Sequence, residues 1–394
     1  MYVRKASWLN LTICDVPEAV PHSLPLRDQK ALTSEGITNK RTTVAMMIND
    51  HIDSSEPHQS TFLACNIVAI FCFVISSTTG NFSQVDKLWS ILPAIYAWRC
   101  VVDSRTTLLA LLLTLWSMRL SYNFYRRGGY NGFPFNIFGG EEDYRWGVLR
   151  RGTLGGWWTL LTNKFILVVF NLVFISFFQN WLLWYITTPS LVAWSMAMKR
   201  MNCEENEDLQ QYSSLNVLDG IAAFVFLFAL LIEGIADNQQ YRFQSKKYTL
   251  MSINGTFAAA TRSIMKKSAE NKELLDGFCQ SGLFAIVRKP AYAAEQLIWI
   301  AYYFFSIAAS APLSWPYSRD SISLINWSMG GFILLFLLFQ GSGWLTEQIS
   351  ISKYPAYRDY QHRVPLYVPK ISSLWHLLFR NDMEKFSSEQ MKPV

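Results

Sequence analysis

Charge is scarce in this 394-residue chain: Asp, Glu, Lys and Arg supply 16% of it, against roughly 25% in an ordinary soluble domain. Hydrophobic residues reach 51%, and the few charges sit in loops between long apolar runs. A soluble core absorbs one such run, not six or seven, so a polytopic membrane protein is expected. Histidine is scarcer still. His22, His51, His58, His362 and His376 all fall outside the apolar runs, which excludes clustered-histidine iron sites and axial haem ligation near the membrane core. Cys14, Cys65, Cys72, Cys100, Cys203 and Cys279 form no CxxC and no Cys/His metal spacing. They read as reduced, small apolar side chains, and no metal site is expected. GxGxxG between strand and helix is missing as well, so a bound nucleotide has to be held without a Rossmann fold. No internal repeat of the transporter kind is visible.

The charge that is present is unbalanced, with 35 Lys and Arg against 29 Asp and Glu, a formal +6. The excess lies beside apolar segments, the pattern of the positive-inside rule and of anionic lipid attraction rather than of nucleic-acid binding. Residues 1–60 are polar, contain Pro17, Pro21 and Pro25, and read as a mobile or peripheral extension without a cleaved signal peptide. Residues 61–370 read as the membrane domain, with its cofactor part over about 233–370, and 371–394 as a polar tail. Expected spans are Phe62–Ser77, Leu88–Val102, Thr106–Tyr122, Phe165–Thr187, Val217–Ala236, Ala291–Ala311 and Leu324–Phe339. Pro189–Met198 reads as a kinked continuation or a half-helix. The fold class is therefore all-α, a transmembrane bundle of about seven spans. Basic segments 123–164, 237–289 and the tail then share one side, the cytosol. Amphipathic helix is expected within 237–289.

An ionisable residue deep in a membrane helix costs roughly 2.5–3.5 kcal/mol on insertion scales, so each one needs a partner or a role. After Arg288-Lys289-Pro290, the residues Tyr292, Glu295, Gln296 and Trp299 recur at helical spacing and share one face. Arg288 and Lys289 stand at the positive end of that helix and would attract an anion such as phosphate. A snorkelling Arg-Lys pair with an internally paired Glu is the bland alternative, and these residues alone leave the two even. Gln340-Gly-Ser-Gly leads to Glu347, expected just past a membrane exit, and then to Tyr354. Glu233 and Asp237 close another span, with Gln240 beyond. Asp86 and Arg119 are placed to pair across neighbouring helices.

Taken in order, these places resemble the uncharacterised branch, a domain of unknown function, of the steroid 5-alpha-reductase superfamily. The resemblance rests on Asn81-x-Ser83-x-Val85-Asp86-x-x-Trp89, Trp116-Ser-x-Arg119-Leu120 and Glu233-x-x-x-Asp237-x-Gln239. It continues through Gly282-Leu-Phe to Glu295, Ser342-Gly343 with Glu347, and Tyr354-Pro-x-Tyr357-x-x-Tyr360. It implies an all-helical enzyme of the endoplasmic reticulum that reduces a carbon–carbon double bond of a lipid with NADPH. It implies cofactor contacts at Asp237, Gln240, Arg288, Lys289, Tyr292, Glu295, Glu347 and Tyr354, while Asp86 and Arg119 are the expected carbonyl-polarising pair. Family members carry Arg-His-Pro-Asn-Tyr where this chain has Arg288-Lys289-Pro290-Ala291-Tyr292, so a lysine point charge replaces an imidazole and an amide is lost. Two other readings remain open, an S-adenosylmethionine-dependent membrane methyltransferase and a non-catalytic lipid-binding relative.

Overall fold

The computed structural model describes residues 56–131, 140–152, 155–202, 215–254, 272–311 and 324–370. Nearly all of the expected extension, and the tail from 371, lie outside the described residues. Among those described, every regular element is helical and no strand occurs, as backbone satisfied within lipid requires. The first elements are α1 (Pro57–Thr79), α2 (Gln84–Trp89), α3 (Leu92–Trp98), α4 (Ser104–Arg126) and α5 (Tyr144–Arg150). Then α6 (Lys164–Phe170) continues through a π-helical stretch, Asn171–Phe178, into α7 (Gln179–Ile186). The remainder are α8 (Thr188–Asn202), α9 (Val217–Asn254), α10 (Lys272–Asp276), α11 (Pro290–Ser310), α12 (Met329–Lys353) and α13 (Tyr357–Arg363).

Among the described residues, four stretches are long and apolar enough to cross a membrane: α1, the continuous Lys164–Ile186, α9 and α12. Helices α4 and α11 have 23 and 21 residues, but Arg119 in one and Glu295-Gln296 in the other dilute their apolar character. Side-chain contacts orient these and the other long segments relative to one another. One end gathers His58 at the start of α1 with Trp184 of α7 and Trp327 ahead of α12. The other gathers Asp86 of α2 with Trp146 of α5, and Arg119 of α4 with α9 and α11. Thus α1, α4, α9 and α12 run one way, and α2–α3, α6–α7 and α11 return.

Helices α4 and α9 are parallel neighbours held by two ion pairs. Arg105 grips Asp219 through Nε and Nη2 at 2.9 Å, and Arg119 meets Glu233 at 2.7 Å. Each partner recurs fourteen residues along its own helix, about 21 Å at the usual rise, so the pairs bracket most of a hydrocarbon core. Between them the packing is aromatic, with Trp116, Phe226, Trp299, Tyr302 and Phe305 all at most 1% exposed. The π-helical stretch turns Asn171 inward, where its Nδ2 donates to Ser76 at 2.8 Å. Gly331 lets α12 approach α7 closely, since a Cβ there would lie 2.4 Å from the Tyr185 carbonyl oxygen.

Two elements run past their expected ends. Helix α9 continues unbroken from the apolar Val217–Ala236 to Asn254, and α12 continues from Phe339 to Lys353. Neither extension contains a proline, and the glycines of α12 do not stop it, so nothing ends the helix where apolarity ends. Glu347 therefore sits within α12.

Candidate functional site

Arg119 is reached by three carboxylates. Its Nη1 lies 2.7 Å from Glu233 Oε1 and 2.8 Å from Asp237 Oδ2, and its Nη2 3.3 Å from Glu295 Oε2. Glu233 and Asp237 are four apart on α9, so both face α4. Glu295 comes from α11. Its carboxylate also accepts the Trp116 Nε1 hydrogen at 3.1 Å and the Trp299 Nε1 hydrogen at 2.8 Å. All three acids are buried. The second Asp237 oxygen faces half-exposed Arg127 at 3.5 Å, which marks the solvent side. Arg119 Nε and Glu233 Oε2 are buried and lack hydrogen-bond partners among the described residues.

The mouth of α11 forms a second group. Pro290 takes the first helical position and Lys289 the N-cap, as a ring without an N–H prefers. The Tyr292 hydroxyl lies 3.3 Å from Ser342 Oγ, and Arg145 Nη1 donates to that same oxygen at 3.0 Å. Lys289 Nζ stands 6.0 Å from the Tyr292 ring centre, and its ammonium has no hydrogen-bond acceptor among the described residues. Burial lowers its pKa, Tyr292 and Glu347 oppose that shift, and Arg288 and Arg145 add to it. The positive charge at this mouth is therefore short of an anion.

Arg288 is committed elsewhere. It pairs with Glu347 at 2.9 Å and donates to the carbonyls of Gln361 and Val364. Glu347 also receives the Tyr357 hydroxyl at 2.5 Å and Gln361 Nε2 at 2.6 Å. The segment after α13 folds back as a strap, Pro365 and Leu366 accepting from the backbone N–H groups of Arg288 and Lys289 at 2.9 and 3.1 Å. Tyr367 anchors it by donating to the Phe339 carbonyl. A Cβ at Gly343 would lie 2.0 Å from the Tyr367 hydroxyl, so glycine here makes room for the strap.

Of the ten residues named from sequence, Arg119, Asp237 and Glu295 come together. Lys289 and Tyr292 lie at the mouth beside them, about 9 Å and 4.5 Å before Glu295 along the helix rise. Arg288 and Glu347 pair with each other. Tyr354 accepts from Lys247 at 2.8 Å in the cap beyond the bundle. Gln240 is half-buried, and its side chain makes no hydrogen bond among the described residues. The expected Asp86–Arg119 pair does not form. Asp86 instead accepts from Trp146 Nε1 at 3.2 Å, beside Asp143 and Arg145. Burial, and then the charge of Asp143, push its carboxyl above the usual range. Asp143 is buried too, but the Arg145 guanidinium holds it below that range. The reason for the misassignment is topological: the turn after α1 delivers Asp86 to α5, whereas α4 faces α9.

Five contributing residues lie outside those ten. Trp116, Glu233, Trp299 and Ser342 stand in the sequence patterns without an assigned role at the site. Arg145 comes from a distant segment and carries no local signal.

A family described as a protein of unknown function, DUF1295, matches residues 72–364. An uncharacterized protein of Schizosaccharomyces pombe is 31% identical over 313 residues, 77% of this chain and 77% of that protein. No solved structure matches.

Proposed function

The chain belongs to the DUF1295 family of proteins of unknown function, and we propose that it is an NADPH-dependent reductase of the steroid 5-alpha-reductase superfamily, acting on a carbon–carbon double bond of a membrane lipid. The observation that carries this reading is a buried Arg119–Glu233–Asp237–Glu295 cluster, capped by two tryptophan N–H groups, lying just inside a mouth with surplus positive charge. An intramembrane ionic group of this size is a functional site by default, because it costs insertion energy that a purely structural bundle has no need to spend.

The residues present suit a phosphate-bearing cofactor. Lys289 offers an ammonium without an acceptor, and Arg145, Ser342 and Tyr292 converge beside it. Lysine serves as a point charge where the family has histidine. NADPH, when bound, supplies a hydride. The protein's own share is to hold the phosphate at the mouth, to exclude water with the Trp116–Trp299–Tyr302 packing, and to fix charge beside the reacting end. Arg119 is better placed to orient the acids than to polarise a substrate carbonyl, since the acids occupy both of its terminal nitrogens. A sterol, polyprenoid or enoyl chain would approach laterally from the bilayer. Residence in the endoplasmic reticulum is part of the same proposal.

Lipid profiling of cells lacking the protein tests this directly. The expected result is accumulation of a lipid carrying one extra double bond. Saturable binding of labelled S-adenosylmethionine in place of NADPH by the purified protein would instead support the methyltransferase reading, and binding of neither the non-catalytic one.

A further inference from the structure

The three carboxylates around Arg119 are not equally supported. Glu295 accepts from Trp116, Trp299 and Arg119. Asp237 has Arg119 at one oxygen and Arg127 at the other. Glu233 has only Oε1 on Arg119, at 2.7 Å, and shares that same Nη1 with Asp237. Among the described residues its Oε2 is buried without any donor, and the residue is 5% exposed. Arg119 and Arg127 bring two positive charges against three acids, and Arg127 is 51% exposed and well screened. Crowded carboxylates in a low-dielectric site do not all ionise. The proton settles where hydrogen-bond donors are fewest, because a neutral carboxyl needs the least compensation.

Resting on the reductase reading above, we infer that Glu233 is the proton-carrying member of this cluster and the acid that completes the reduction. The step balances. The dihydronicotinamide is the reductant, and its hydride adds to the carbon beta to the carbonyl. The π pair shifts towards the carbonyl, and the Glu233 proton is delivered to the alpha carbon, so the double bond becomes single. Glu233 is left as a carboxylate beside Arg119, which already contacts it. Water reaching the Asp237–Arg127 end of the cluster restores the proton. None of the sequence motifs required this role for Glu233. It follows from the count of donors around each oxygen.

Infrared difference spectroscopy on the purified, cofactor-free protein decides the charge state. Subtracting Glu233→Gln from wild type should reveal the loss of a deuterium-sensitive protonated-carboxyl band. Loss of an ionised-carboxylate band instead would overturn the inference. Glu233→Asp, which keeps an acid, should move the band without removing it, and it provides the comparison if the glutamine variant folds poorly. The donor role is read in cells. Glu233→Gln should leave NADPH binding within about twofold of wild type and yet give the lipid profile of the deletion. A variant that restores the wild-type profile would rule Glu233 out as donor while leaving the reductase reading intact. A wild-type protein that does not bind NADPH would remove that reading itself.

Discussion

At the scale of single residues, Glu295 and Lys289 carry the account in opposite ways. Glu295 is satisfied inside the protein by Trp116, Trp299 and Arg119. Replacing Arg119 by Gln leaves buried acids without their counter-charge, and a loss of about 3–5 kcal/mol in unfolding free energy is expected. Trp299→Phe removes one N–H to a carboxylate and should cost about 1.5–3 kcal/mol. Chemical denaturation in detergent checks both, and an unchanged midpoint for either variant would contradict the geometry. Lys289 is the reverse, a cation waiting for a partner. Because burial lowers its folded-state pKa, between that value and the ordinary lysine value the unfolded chain binds more protons. Stability from this group therefore rises with pH through that window, while anion binding falls. NADPH affinity should decline towards alkaline pH in wild type but not in Lys289→Arg, whose guanidinium stays charged. Equal pH dependence in the two proteins would remove Lys289 from the site.

At the scale of elements, placement is legible in sequence where a helix face alone decides it. The Tyr292, Glu295 and Trp299 stripe was legible because α11 starts at Pro290 and keeps its period. Partner choice was not legible. Nothing near Asp86 in sequence says that α5 will cover it, and nothing near Arg119 says that α9 runs parallel to α4. That parallel pairing depends on Arg105–Asp219, whose side chains are 2% and 1% exposed. Asp219→Asn should destabilise by about 3–5 kcal/mol, whereas a paired apolar replacement of both residues should recover most of that loss. Thermal unfolding of the single and double variants separates them. A single variant as stable as wild type would mean that the pair contributes nothing to the register. Helix ends were equally illegible, because α9 and α12 outlast their apolar stretches and only a proline or a capping turn would have marked a stop.

At the scale of the whole molecule, the expected seven-pass arrangement places the cap formed by the end of α9, Tyr354 and the strap on one face, and the aromatic group around Trp327 on the other. Ser252 and Lys370 lie exposed on the first face and Ile325, 72% exposed, on the second. The cysteines within the described residues are all buried, so with Cys14 and Cys203 replaced by serine single introduced cysteines can be labelled cleanly. Reagents that do not cross membranes should modify Ser252→Cys and Lys370→Cys from the same side of sealed vesicles, and Ile325→Cys only after permeabilisation. Labelling of Ser252→Cys and Lys370→Cys from opposite sides would contradict the seven-pass arrangement.

On the reductase reading, the mouth of α11 and Glu295 behind it hold the cofactor. Thermal unfolding of the purified protein with and without NADPH addresses that most directly. At a hundredfold excess over the dissociation constant, a specific ligand adds about 2.7 kcal/mol, so wild type should melt several degrees higher with NADPH. Lys289→Gln and Glu295→Gln should fold and lose most of that shift. Wild-type protein whose melting is unmoved by saturating NADPH, or variants that keep the full shift, would contradict the account.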